Sequence, residues 1–155
     1  MALRPADVVE RMDLVISLGQ TELAAQVTQE AGIDTKATGI AGLAGALDIG
    51  AVAASSALGP IWWIPGLGFL LATVFALVTL FTDPVKTGPR LAEFYESIKG
   101  ESAETAKRKA IEDLIADISS NRSLLDLRRV LLQRTMWLFA GTLVVSAIVL
   151  LASRR

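Results

Sequence analysis

The sequence predicts an all-α membrane protein: three transmembrane helices, a hairpin plus a C-terminal helix, with a cytoplasmic helical layer. Three observations predict it. Residues Ile61 to Phe81 form an uncharged apolar stretch inside an ionisable-free run from Ile49 to Thr82. A second uncharged stretch runs from Thr135 to Ser153. No strand-like alternation is visible anywhere in the chain. About 20 apolar residues at about 1.5 Å each cross the hydrocarbon of a bilayer. A chain of 155 residues has too little core to bury such helices on every side.

Residues 1–33 read as an N-terminal amphipathic region. Val8, Met12, Val15, Leu23 and Val27 recur at helical spacing, which describes one helix or two broken near Gly19. Asp7, Glu10 and Asp13 stand where the apolar core of a signal peptide would lie, so none is expected. Gly32-Ile33-Asp34 interrupts the pattern, and Asp34 or Thr35 is a candidate cap for the next helix. The membrane domain is expected over 34–153. Its first span, about 37–57, is rich in Gly and Ala, with Gly42, Ala46, Gly50 and Ala54 at four-residue intervals on one face. Small residues at that spacing let helix backbones approach closely in lipid.

Gly59-Pro60 turns the chain, and the second span, about 61–81, returns. Trp62 and Trp63 mark its interfacial end, and Asp83-Pro84 stops it. Residues 89–134 are polar and helical. Leu91, Phe94, Tyr95 and Ile98 form a short amphipathic helix closed by Gly100. Ser102 with Thr105 opens a longer helix, whose stripe includes Ala106, Ala110, Leu114 and Ile118. Ser119 to Ser123 is expected to interrupt or re-cap it. The last span, about 135–152, carries Trp137 at its start.

Ten of the fifteen Lys and Arg lie between Lys86 and Arg134, so that segment and the N-terminal region are expected on the cytoplasmic side of the membrane. The formal charge of −1 argues against nucleic-acid binding. The chain has no cysteine and no histidine, which removes thiol and imidazole chemistry and the usual zinc ligands. Glu112 and Asp113 are adjacent, so they point to different faces and form no acid/base pair. Neither an enzyme nor a metal or cofactor is expected.

Asp48 is the sharpest single feature. A carboxylate inside a membrane helix costs about 2.5–3.5 kcal/mol on insertion scales, and such groups mark polar pathways, pairings or switches. The alternative is a structural bond to Ser55 or Thr79. Lys36 beside helix-end amides, and the pair Arg128-Arg129, are candidates for binding an anionic ligand. Lys107-Arg108-Lys109 is a further basic cluster facing lipid or solvent.

The run Asp34-Thr35-Lys36-Ala37-Thr38-Gly39-Ile40, followed by an apolar helix holding Gly45-Ala46-Leu47, resembles the Asp-x-Lys-Ala-x-x-(Ile/Leu) motif of the Pycsar effector transmembrane family. The later order is similar too: a second apolar helix ending at Pro84, a Phe94-Tyr95 amphipathic helix, and a Leu/Ile-rich helix holding Asn121. That helix leads through basic residues into the last span. The resemblance covers about Asp34 to Ser153. The Gly/Ala-rich first span with Asp48 departs from the family's pattern, and there is no separate nucleotide-binding barrel.

The resemblance implies an antiviral effector of the bacterial inner membrane that senses cyclic CMP or cyclic UMP, made by a partner cyclase during phage infection, and then impairs that membrane. Asp34, Lys36, Asn121, Arg128 and Arg129 are then the candidate ligand residues, and a homo-oligomer is expected. The competing expectation is a holin-like or accessory membrane protein without a nucleotide ligand. The polar segment of about 50 residues is more than a simple holin needs.

Overall fold

The computed structural model describes residues 5–88 and 91–153. Four α helices lie among them: α1 (Pro5–Leu58), α2 (Trp63–Leu80), α3 (Leu91–Ile98) and α4 (Ala103–Ser153), with a one-turn 3-10 helix, Pro60–Trp62, ahead of α2. There is no strand among the described residues. Helices α1, α2 and α4 are each long and apolar enough to cross a membrane.

Of the two readings of the N-terminal stripe the single helix unbroken at Gly19 holds, and the interruption expected at Gly32–Asp34 is absent, because α1 runs through both. Isolated glycines cost a helix only about 1 kcal/mol each, which a helix of this length absorbs. A Cβ on Gly19 would overlap the Leu114 side chain of α4, so that glycine permits a close approach. Asp34 and Thr35 cap nothing: Thr35 instead bonds back to the Ala31 carbonyl at 2.8 Å. The interruption expected at Ser119–Ser123 is also absent. Ser119 and Ser123 return their hydroxyls to Ala116 O and Ser120 O, at 2.9 and 2.8 Å, and α4 continues.

The helices build two compact units, Met1–Glu30 with Pro84–Leu125, and Ala31–Asp83 with Asp126–Arg155. The described residues up to Glu30 pack with those of 84–125 in the first of these units. In this first unit Leu23, Val85, Leu114 and Leu125 are buried. Helix α4 opens as its sequence predicts: Ser102 Oγ accepts from the Thr105 amide at 3.2 Å, satisfying one orphan donor of the first turn. Gly100, at φ +90, makes the preceding turn in a conformation that other residues rarely adopt.

The second unit is an antiparallel arrangement of three helical segments. Ala44, Phe69 and Ala72 form its core, with Leu138 and Phe139 packed against them. Phe69 and Phe139 meet with ring centroids 5.9 Å apart. A Cβ on Gly68 would stand 2.5 Å from Thr142 Oγ1, so α2 and α4 touch there backbone to side chain. The surface is the reverse of a water-soluble bundle. Leu43, Ile49, Trp63, Leu67, Phe81, Trp137, Val144 and Leu151 are exposed, while the largest fully buried side chains include Arg128, Thr79 and Thr135.

The face expected to pack, Gly42–Ala46–Gly50, is exposed, and a Cβ on Gly42 or Gly50 would meet nothing within 4 Å. Contacts inside the unit use Ala37, Ala44 and Ala51, which are buried at seven-residue spacing. Of the two tryptophans expected at the interface, Trp63 is exposed but Trp62 is buried, turned inward by the 3-10 turn.

Candidate functional site

The polar residues of the second unit are organised by α4. Arg128, Thr135, Thr142 and Val149 are buried at seven-residue intervals, the repeat that keeps one seam of a helix against its neighbours. The hydroxyls on that seam are satisfied within their own helix: Thr135 bonds Leu131 O and Thr142 bonds Leu138 O, both at 2.8 Å. On α2, Thr73 and Thr79 do the same toward Phe69 O and Phe75 O. Such back-bonding is how a hydroxyl is tolerated where no water is present.

Arg128 is the exception, because its donors reach other helices. Its Nε donates to Thr79 O at 3.1 Å, and a terminal nitrogen donates to Asp34 Oδ1 in an ion pair. Thr79 lies in the last turn of α2, where carbonyls lack intrahelical partners and the dipole is negative. One guanidinium thus caps α2, pairs with α1 and is carried by α4. The Arg128 side chain is 1% exposed and that of Asp34 42%. A buried cation without a carboxylate would be severely destabilising, and Asp34 supplies the carboxylate.

Of the candidate ligand residues, Asp34 and Arg128 are therefore brought together, with each other as partners. Lys36 is exposed on the middle of α1; no helix begins there, so the helix-end amides expected beside it do not exist. Arg129 is exposed and pairs loosely with Asp126, at 3.9 Å.

Asn121 belongs to the first unit and is 1% exposed. Its side-chain amide grips the backbone of Lys86, accepting from the amide at 2.9 Å and donating to the carbonyl at 2.8 Å. Glu30 accepts the neighbouring Val85 amide at 3.1 Å, and Lys86 approaches Asp117 at 3.8 Å. These contacts pin the segment that follows α2. Gln26, also buried, donates to Ile118 O at 3.4 Å, and Arg122 bonds Glu22 across the unit at 3.2 Å.

Asp48 faces α2. Its Oδ1 lies 3.5 Å from the position a Cβ on Gly66 would take, beside the first turn of α2, where the helix dipole is positive. The bonds to Ser55 or Thr79 expected as a structural alternative are not made, since those hydroxyls go to Val52 O and Phe75 O. Asp34 and Asp48 are fourteen residues apart on α1, about 21 Å along the helix axis. A shallow apolar groove of about 380 Å³, lined by Ile64, Gly68, Trp137, Gly141 and Val145, runs between α2 and α4. No group of His, Cys, Asp and Glu suited to a metal occurs among the described residues.

The three-helix clasp at Arg128 was only half visible in the sequence. The signal that finds it is the seven-residue register of α4, in which Asn121, Arg128, Thr135 and Thr142 occupy the seam. A reading that follows only apolar residues passes over it. Among known proteins, no family model, no curated protein and no solved structure matches this chain.

Proposed function

We propose that this protein spans a bacterial inner membrane three times and acts as a membrane effector in a cyclic-pyrimidine-nucleotide antiphage system. The observation that carries the membrane part is the inverted second unit, apolar outside and small or polar inside. In water such a surface would drive aggregation, whereas lipid is as apolar as its leucines. The ten basic residues between Lys86 and Arg134 support a cytoplasmic side at residues 83–134 by the positive-inside rule. The start of α1 is read on the same side, a reading supported by its packing with 84–125 in the first unit.

The effector part rests on the motif Asp34-Thr35-Lys36-Ala37 and the order of elements that follows it. In this reading the protein is a homo-oligomer, and cyclic CMP or cyclic UMP shifts it between two packings by binding one more tightly than the other. Membrane integrity is lost in the second packing.

The test is membrane-potential dye uptake in bacteria producing the chain with an inducible pyrimidine cyclase. Depolarisation is expected only when both are present. A second reading, an accessory or holin-like protein without ligand, is favoured by the internal pairing of Arg128 and Asn121, which leaves neither as an open ligand contact. Depolarisation by the chain alone would establish that reading and remove the first.

A further inference from the structure

We propose that the groove between α2 and α4 holds an acyl chain of an anionic phospholipid, whose phosphate pairs with Arg134 at the groove's polar end. The proposal rests on the reading that the chain spans a membrane, and not on the effector reading. The groove, of about 380 Å³, is lined on α4 by Trp137, Leu138, Gly141, Thr142 and Val145, and on α2 by Ile64 and Gly68. Helical residues three, four, seven and eleven apart share one face. Stepping back by those intervals from Trp137, Leu138, Gly141 and Val145 leads each time to Arg134. The row that lines the groove therefore ends, one turn further on, in a cation.

That cation is available and well directed. Arg134 is exposed and makes no ion pair among the described residues. Long side chains on a helix lean toward its N-terminus, which takes the guanidinium away from the uncharged stretch 135–153 and toward a headgroup. From Arg134 to Val145 is about 16 Å along the helix axis, and one leaflet supplies about half of a roughly 30 Å hydrocarbon core. Trp137, 72% exposed, stands one turn from Arg134, and indole rings favour the headgroup level. A groove that is apolar along its length and cationic at one end complements an amphiphile with an anionic head. A free nucleotide would leave the apolar part unused, and an apolar neighbouring helix would leave Arg134 unpaired.

The experiment places the full chain in nanodiscs, with Trp62→Phe and Trp63→Phe leaving Trp137 as the sole tryptophan. Trp62 Nε1 makes no hydrogen bond among the described residues and Trp63 is exposed, so the fold tolerates both changes. Phosphatidylglycerol or phosphatidylcholine with brominated acyl chains is titrated in, because bromine quenches an indole that it touches. The glycerol lipid should reach half-quenching at about one fifth of the mole fraction that the choline lipid needs. Arg134→Gln should bring the two lipids to parity, and Arg134→Lys should keep most of the difference. Arg129→Gln removes an equal charge from another face of α4 and should leave the difference unchanged. Gly141→Leu fills the groove and should weaken quenching by both lipids; a Cβ there meets nothing within 4 Å, so the helix accepts it.

Equal quenching by the two lipids in the parent chain overturns the proposal, as does a preference that survives Arg134→Gln. Quenching by neither lipid means that another occupant, a second copy included, covers the groove, and this too overturns it. A chain that enters no bilayer overturns the membrane reading along with the site. A chain that enters both bilayers without preference overturns the lipid site alone.

Discussion

Two glycines two residues apart on α2 illustrate how much depends on the atom opposite. At Gly66 a new Cβ meets Asp48 Oδ1 at 3.5 Å and Ala51 Cβ at 3.8 Å, which is ordinary contact. At Gly68 it meets Thr142 atoms at 2.5, 2.7 and 3.2 Å, and Thr142 is buried with its hydroxyl committed to Leu138 O. Gly66→Ala should therefore be neutral or stabilise by up to about 1 kcal/mol through helix propensity. Gly68→Ala should destabilise by about 1–3 kcal/mol through overpacking. Unfolding by SDS titration in mixed micelles measures both, and equal stability of the two variants would contradict the helix contacts described above.

Asp48 belongs to the same scale. Asp48→Leu removes a polar group from α1, which is long and apolar enough to cross a membrane, and should favour insertion by about 3 kcal/mol. Under the proposed effector reading, a carboxylate in a polar path predicts that this variant inserts well yet does not depolarise cells when the cyclic nucleotide is supplied, with Asp48→Asn intermediate. Dye uptake normalised to inserted protein decides it. A leucine variant as active as wild type excludes Asp48 from the mechanism.

At the scale of elements, α4 shows how one helix serves two environments. Its buried positions Leu114, Asn121, Arg128, Thr135, Thr142 and Val149 keep a seven-residue register, while its exposed positions mix charged residues with Ile115, Leu127 and Val130 before Arg134 and include Met136, Trp137, Val144 and Leu151 but no charge after it. The first part pins a segment through Asn121 and the second carries the Arg128 clasp. Asn121→Ala would leave the Lys86 amide and carbonyl without their partners, at a cost of about 1–3 kcal/mol because Lys86 is itself exposed and water recovers part of the loss. Hydrogen exchange at the Lys86 amide should then accelerate, while amides of the α2 span keep their protection. An unchanged Lys86 rate would mean that Glu30 and Asp117 suffice to hold the segment.

At the scale of the whole molecule, the open face Gly42–Ala46–Gly50 is where a second copy is expected. Since a Cβ at Gly50 meets nothing within 4 Å, Gly50→Leu should leave the single chain's fold intact. A bulky side chain there nevertheless prevents the close backbone approach that small residues allow in lipid. The expected result is a smaller mass in native detergent measurements with an unchanged helical circular dichroism spectrum. A wild-type mass would remove this face from assembly, and a loss of helix would mean that it is needed within the chain.

The sequence by itself determined the helical class, the positions of three apolar stretches, the turn at Gly59-Pro60 and the Ser102 cap. Each follows from short-range physics: uncharged runs of sufficient length, residues with restricted backbone angles, and a hydroxyl one turn from an orphan amide. The tertiary structure alone decided that α1 passes through Gly19, where the Leu114 side chain fills the space a Cβ would take. At Gly32 nothing lies within 4 Å of that position, and the helix bears the cost of about 1 kcal/mol. The tertiary structure also decided that Arg128 and Asp34, ninety-four residues apart, hold each other. Local pattern ranked them as separate candidates for an outside ligand, because a charged residue in isolation looks the same whether its partner is a solute or a distant part of its own chain. Burial distinguishes the two cases, and burial is a property of the packed helices.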